Sequence, residues 1–346
     1  MLKIFLYPFA ILYDAITRVR NYLYDTGRRG SVRFDINVIA VGNLTVGGTG
    51  KTPHIEYLIR LLKDRYKVAT LNRGYGRKTK GFLIADESSS ASSLGDEPFQ
   101  YYKKYGKEIT VAVGEERALA IPSILLEREE TKVILLDDAY QHRAVQPLLT
   151  ILLSDFNRPF YEDVLLPAGR LRESRKGAKR ADIIVVSKCP DKLSEAQQLD
   201  IIKAIKQYAK KEIPVFYTGI NYGKPICFSD ASVDIIGKKV VLITGLANAK
   251  PIKEYIQTNY ELTKHIEFPD HYNYKVKDVE HIASLYNELK ETHIIITTEK
   301  DMVKLVNPDF KELLKNVPVF YIPIEVYFLK EKEKFEELIL AKGVMF

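Results

Sequence analysis

At 346 residues, with 46% hydrophobic and 28% charged positions, the chain is long enough for two ordinary α/β domains, each burying its own core. The formal charge of +7 and pI near 9.0 point to an acidic partner, whether nucleic acid, phosphorylated metabolite or anionic membrane surface, without choosing among them. Two cysteines, Cys189 and Cys227, with no Cys-x-x-Cys spacing and no His-rich tract, exclude a disulfide framework and a zinc site, and a reducing, cytosolic-side location follows.

The first predicted element is an N-terminal helix. The apolar run from Ile4 to Tyr13 is broken by Asp14, short of the about 20 residues a transmembrane helix needs. No small-residue cleavage site follows, which argues against a signal peptide. Read as a helix, Phe5, Phe9, Leu12, Ile16, Val19 and Leu23 form one apolar stripe, flanked by Lys3, Arg18, Arg20, Arg28, Arg29 and Arg33. Residues 1–30 therefore form either an amphipathic segment lying in the headgroup region of an anionic bilayer or a helix packed on the protein's own core.

Short apolar runs then alternate with helical patterns. Strands are predicted at 37–41, 68–71, 109–113, 133–136, 149–153, 183–186, 240–243, 293–297 and 319–322, with helices at 52–63, 115–128 and 195–210 between several of them. The pattern is that of an α/β protein with a largely parallel sheet. The Ser-rich segment after Glu87 reads as a loop, and Asn221-Tyr-Gly-Lys-Pro225 as a linker. The expected organisation is a core domain over 31–222 and a smaller α/β domain over 223–346.

Between the first strand and its helix lies Thr45-Val-Gly-Gly-Thr-Gly-Lys-Thr52. Gly47, Gly48 and Gly50 let backbone N–H groups turn toward an anion, and the helix N-terminus adds partial positive charge. This is the context of a P-loop NTPase, although Thr45 stands where the pattern has its first glycine. Lys51 is expected to reach the β- and γ-phosphates of ATP and Thr52 to hold Mg²⁺, with Val46 and Thr49 completing the cradle. A structural glycine turn is the competing reading.

The metal partner is expected in Lys132-Val-Ile-Leu-Leu-Asp-Asp138, where Asp137 and Asp138 both stand at a strand's carboxyl end. Neighbouring side chains point to opposite faces, so the sequence leaves open which of them faces the metal. Arg73-Gly-Tyr-Gly-Arg77 is either a surface turn or a source of phosphate contacts through Arg77. Asp96, in Gly95-Asp-Glu-Pro98, is either a helix cap or a catalytic acid. The loop Leu166-PAGRLRESRKGAKR-Ala181 carries Arg170, Arg172, Arg175, Lys176, Lys179 and Arg180 around Glu173, and is either a solvated face or a site for an anionic substrate group.

Taken together, GNLTVGGTGKTPH, NRGYGR, GDEP, LLDDAYQHR, LPAGRLRES, PDHYNY and TTEKDMVKL resemble the tetraacyldisaccharide 4'-kinase family over essentially the whole chain. The family's loop is similar in lacking the first glycine. The chain departs from the family at Ala139-Tyr140, where the family has Gly-Phe, and at Arg170, where it has proline. The resemblance implies transfer of the γ-phosphate of ATP to the 4'-hydroxyl of a tetraacylated glucosamine disaccharide 1-phosphate, giving lipid IV-A at the cytoplasmic face of the bacterial inner membrane. It implies that Asp96 is the base and His271 its partner, that Arg172 and Glu173 act in catalysis, and that Gln141, His142 and Glu97 lie near the metal or substrate. Without it, His271 reads as a surface or core histidine. A monomer is expected, acting on a lipid and not on nucleic acid.

A rival of another class is a P-loop switch or chaperone NTPase acting on a protein partner. Val185-Val-Ser-Lys188 faintly resembles a guanine-reading motif, but Asp191 is misplaced for it.

Overall fold

The computed structural model describes residues 2–229, 235–289 and 292–344. Helix α1 (Leu2–Asp25) leads into the core sheet, whose strands are β1 (Asn37–Asn43), β2 (Val68–Asn72), β3 (Leu83–Ile84), β4 (Thr110–Val113), β5 (Val133–Asp137), β6 (Leu149–Asp155), β7 (Ile183–Ser187) and β8 (Val215–Tyr222). The smaller sheet contains β9 (Ile226–Cys227), β10 (Lys239–Thr244), β11 (Glu261–Glu267), β12 (His293–Thr298) and β13 (Val319–Ile322), and β14 (Ile324–Phe328) follows. The other helices are α2 (Lys51–Leu62), α3 (Ala91–Leu94), α4 (Asp96–Tyr105), α5 (Arg117–Glu127), α6 (Glu195–Lys206), α7 (Lys250–Asn259), α8 (Val276–Leu289), α9 (Glu299–Leu305), α10 (Lys311–Leu314) and α11 (Lys332–Gly343).

The core sheet runs β14-β8-β7-β6-β1-β5-β2-β4-β3, parallel from β8 to β4 with an antiparallel strand at each edge. Its inner strands are continuous runs of Val, Ile and Leu because helices cover both faces: every residue of β1, β2, β5 and β7 is buried. The smaller sheet runs β11-β10-β12-β13-β9, parallel except for β9. All nine expected strands are present. The sequence reading missed β3, β9 and β14, which are short or at sheet edges, and also β8 and β11.

The expected boundary at residue 222 needs correction. After β13 the chain returns to the first domain: β14 pairs antiparallel with β8, and α11 packs Phe335 and Ile339 into the same cluster as Ile39, Leu149 and Phe216. Gly343 fits this docking, since a Cβ there would meet Ile39 Cδ1 at 2.9 Å. The second domain is thus an insertion, enclosed by β8 and β14.

Two kinds of contact hold the domains together. Met302 and Val303 of α9 pack with Leu94, Phe99 and Val113. Beside them the half-buried Lys104 ammonium lies 2.5 Å from Glu56 Oε2 of α2 and 2.7 Å from Glu299 Oε1 of α9. Two buried carboxylates from different domains thus share one cation, which offsets part of their desolvation cost.

Helix α1 divides by face. Its polar side is tied to the core: Tyr13 donates to the Arg172 carbonyl at 2.9 Å, Arg20 to the Gln141 carbonyl at 2.6 Å, and Asn21 to Glu173 Oε2 at 2.8 Å. The apolar stripe points outward, with Phe5, Phe9, Leu12, Ile16 and Val19 at 59% to 73% exposure. Among the described residues, no helix is long and apolar enough to cross a membrane.

Candidate active site

The glycine loop joins β1 to α2 and is held open by its neighbours. Gly47 and Gly50 have φ of 108° and 81°, values that favour glycine. The incoming side of the loop pairs with the basic loop after β6: Val46 N–H donates to the Arg170 carbonyl at 2.8 Å and Arg172 N–H to the Leu44 carbonyl at 2.7 Å. Here Thr45, bridged to Leu171, replaces the first glycine, so the entry follows a strand-like path instead of a turn. The outgoing side is held by Ser187, whose hydroxyl donates to the Thr49 carbonyl at 2.8 Å. His54 sits beneath, bridging the Gly50 carbonyl at 2.7 Å and the Thr218 hydroxyl at 3.0 Å. Burial pushes the His54 imidazole down to about 4.

Lys51 opens α2, with Nζ 3.4 Å from Asn43 Oδ1 and 3.7 Å from Asp138 Oδ1. Arg172 grips Asp138 from the other side and also reaches Asn43 Oδ1 at 2.7 Å. Burial opposes the charge on Asp138, yet Lys51 and Arg172 hold its carboxyl below the usual range. Asp137 is different. Its Oδ2 accepts from Asn72 at 2.8 Å and from Tyr101 at 2.9 Å, while Oδ1 is buried without a hydrogen-bond partner. Burial pushes Asp137 up to about 6, against the pull of Lys51.

The two aspartates are therefore sorted by environment. Asp138 is already paired with cations, whereas Asp137 presents a dry, unpaired oxygen that a hard cation would satisfy. Together with the Thr52 hydroxyl on the first turn of α2, it fits Mg²⁺ held jointly by protein and phosphate oxygens. Among the described residues there is no group of three or more His, Cys, Asp or Glu side chains that could hold a metal ion.

Asp96 begins α4, and His271 reaches it from the loop after β11, with Nδ1 3.4 Å from Asp96 Oδ2. His271 has φ of 56°, and Tyr75 packs edge-on against its ring at 5.5 Å. The glycine turn after β2 thus supports the dyad. Gly95 allows the close approach, since a Cβ there would lie 3.0 Å from the Tyr75 carbonyl oxygen.

Glu173, Arg77 and Asp96 have surroundings that the sequence left open. Glu173 is buried with both oxygens in use: Oε1 accepts from Arg180 at 2.6 Å and Gln141 at 3.1 Å, and Oε2 from Asn21. It joins α1 to the active-site loops. Arg77 donates to Glu115 Oε1, in the loop after β4, at 2.6 Å and to the Gly81 carbonyl, while its Nε and Nη1 are buried without a hydrogen-bond partner. Asp96 opens α4 with no side-chain capping hydrogen bond.

Sequence reasoning missed Lys188 and Arg117. Lys188, in the left-handed region at φ 58°, donates to the Gly48 carbonyl and pairs with Asp155 at 2.8 Å, bracing the loop from below. The Val-Ser-Lys run at the end of β7 was the available signal. Arg117 is buried beside the aspartates, donating to the carbonyls of Gly114 and Glu115, and burial lowers it to about 10. An arginine opening an apolar helix gives no sign of this in the sequence.

Comparison with known proteins agrees with this site. Residues 2–343 match the family model of tetraacyldisaccharide-1-P 4'-kinase. The chain belongs to the tetraacyldisaccharide 4'-kinase family. The family member from Flavobacterium johnsoniae is 45% identical, the match covering 98% of this chain and 97% of that one, and the member from Bacteroides thetaiotaomicron is 40% identical, covering 97% and 92%. A crystal structure of the kinase from Aquifex aeolicus in complex with ATP is 31% identical, covers 99% of this chain and all of the other, and superposes with a TM-score of 0.76. The P-loop fold and the ATP-dependent kinase class stand on these matches and on the loop geometry together.

Proposed function

We propose that the protein transfers the γ-phosphate of ATP to the 4'-hydroxyl of tetraacyldisaccharide 1-phosphate, forming lipid IV-A. The observation that carries the reading is the convergence of Lys51, Arg172 and Asp138 on one side of the glycine loop with the Asp96–His271 pair contributed across the domain seam. A switch NTPase has no use for a carboxylate–imidazole pair assembled by two domains.

In the transfer, the O–H bond of the acceptor breaks and its proton passes to Asp96. The sugar oxygen forms a bond to Pγ as the bond from Pγ to the leaving ADP oxygen breaks. The transition state is loose, so positioning and charge stabilisation matter more than a strong base. Lys51 exchanges Asp138 for phosphate oxygens, and Arg172 is left to hold Asp138 in place. The glycine loop's N–H groups orient the phosphates, and closure of the second domain over the loop would exclude water, a competing acceptor. Bound Mg²⁺, held by Thr52 and Asp137 with Asp138 nearby, would neutralise charge on the phosphate oxygens.

The outward stripe of α1 supports docking at the cytoplasmic face of the inner membrane, since a tetraacylated lipid does not leave the bilayer and the enzyme has to meet it there. Because α1 is bonded to Arg172, Gln141 and Glu173, docking would bring the catalytic loops to the headgroup level. The test is a γ-phosphate transfer assay with labelled ATP, Mg²⁺ and the lipid in micelles. Label in a lipid product supports the kinase; label only in inorganic phosphate would move the switch reading forward.

A further inference from the structure

The motif Thr297-Thr-Glu-Lys-Asp-Met-Val-Lys-Leu305 has no part in the reaction described above, yet α9 places two lysines one helical turn apart against the dyad. Lys300 Nζ lies 3.0 Å from His271 Nε2 and 3.1 Å from Asp270 Oδ1. Lys304, whose side chain is 5% exposed, lies 3.9 Å from Asp96 Oδ2 and 3.0 Å from Asp301 Oδ1. Asp301 is itself fixed, accepting from Gly245 N–H at 2.8 Å and from the Thr298 hydroxyl at 2.7 Å.

A lysine ammonium has donors and no acceptor. The Lys300 contact therefore makes His271 Nε2 the acceptor, and leaves Nδ1 as the protonated nitrogen facing Asp96. Among the described residues, the contacts that reach the Asp96 carboxylate from the second domain, from His271 and from Lys304, both fall on Oδ2. We propose that Lys300 and Lys304 are positioning residues for phosphoryl transfer: Lys300 fixes the Nδ1–H tautomer of His271, and Lys304 holds Asp96 by Oδ2 so that Oδ1 is presented to the acceptor hydroxyl.

This rests on the reading of Asp96 as the base. It also explains why the second domain has to be seated for the reaction: α9 carries Met302 and Val303 into the apolar seam and both lysines onto the dyad in the same movement. The groups in contact with the dyad are then Lys300, Asp270 and Lys304 from the second domain, Lys304 being flanked in turn by Asp301 and Tyr274, with Tyr75 from the first.

The test uses the full chain with Lys300→Met, Lys304→Met and Lys304→Arg, measuring kcat, KM for ATP and the imidazole ¹⁵N spectrum of His271, assigned with His271→Gln. Lys300→Met should abolish the single Nδ1–H signature and lower kcat about tenfold or more, with KM for ATP within about twofold. Lys304→Met should lower kcat by a similar factor, and Lys304→Arg should restore most of it by returning the cation. An unchanged His271 signature in Lys300→Met together with kcat within about twofold in both methionine variants overturns the proposal. If Lys304→Met does not fold, the Lys300→Met spectrum and rate decide alone, because Lys300 lies at the rim of the site. Asp96→Asn separates the two readings: near-normal turnover there removes the base itself, whereas a dead Asp96→Asn beside active lysine variants removes only the role of α9.

Discussion

Arg172 holds Asp138 with two guanidinium nitrogens, Nη2 to Oδ1 at 2.9 Å and Nη1 to Oδ2 at 3.1 Å. The pairing fixes the carboxylate that also lies 3.7 Å from Lys51, so the lysine is kept at the mouth of the glycine loop. Fork geometry of this kind sets orientation as well as charge, and lysine at position 172 would supply only a point charge.

Lys51→Ala should reduce phosphoryl transfer by about a hundredfold or more, because it removes charge stabilisation from the moving group. Initial rates with labelled ATP measure this. Turnover near that of the parent would reject Lys51 as the phosphate lysine.

Asp96→Asn keeps the shape of the dyad and removes the proton acceptor. The expected loss in kcat is about a hundredfold, with ATP affinity little changed, since Asp96 acts on the acceptor hydroxyl and not on the nucleotide. A large change in ATP affinity with kcat retained would return Asp96 to a structural part.

Glu173→Ala would leave Arg180, Asn21 and Gln141 without their shared acceptor. Breaking such a buried pair costs about 3 kcal/mol, so urea unfolding should shift to lower concentration. Glu173→Gln should recover part of the loss by keeping hydrogen bonds to a neutral acceptor. A stability unchanged in the alanine variant would contradict the clasp between α1 and the loops.

Replacing Phe9 and Ile16 together by glutamate should release the protein from anionic vesicles in a flotation assay without lowering its melting temperature, because both side chains face outward. Retained flotation would count against α1 as the docking element.

His54 predicts a pH dependence of stability. Its folded value of about 4 lies below the ordinary 6.5, so between these the unfolded chain binds the proton and the folded chain does not. Stability should fall as pH drops from about 6.5 toward 4. His54→Gln should show a shallower fall in urea midpoints between pH 7.5 and 5.5, and equal slopes would deny His54 its share.

Much of this protein was legible locally. The glycine loop between β1 and α2, the paired aspartates closing β5 and the nine apolar strands are short-range patterns, set by backbone freedom, strand burial and charge at a strand end. The apolar stripe of α1 was also visible as a periodicity, but not the direction in which it faces. What its polar side touches was not, because Arg172, Gln141 and Glu173 lie more than a hundred residues away in sequence.

Tertiary structure decided the rest. Whether Asp137 or Asp138 offers a free oxygen depends on Asn72, Tyr101, Lys51 and Arg172, brought together from four separate segments. His271 meets Asp96, 175 residues away, only because the inserted domain docks through α9. The return of β14 and α11 to the first domain is likewise a long-range pairing that no local pattern announces. By itself, the sequence determined which elements form and which residues have the chemistry for phosphoryl transfer, since propensity, periodicity and side-chain type act over a few neighbours. Only the fold determined which charges are paired and which are left open, because burial and electrostatic pairing depend on distances in space.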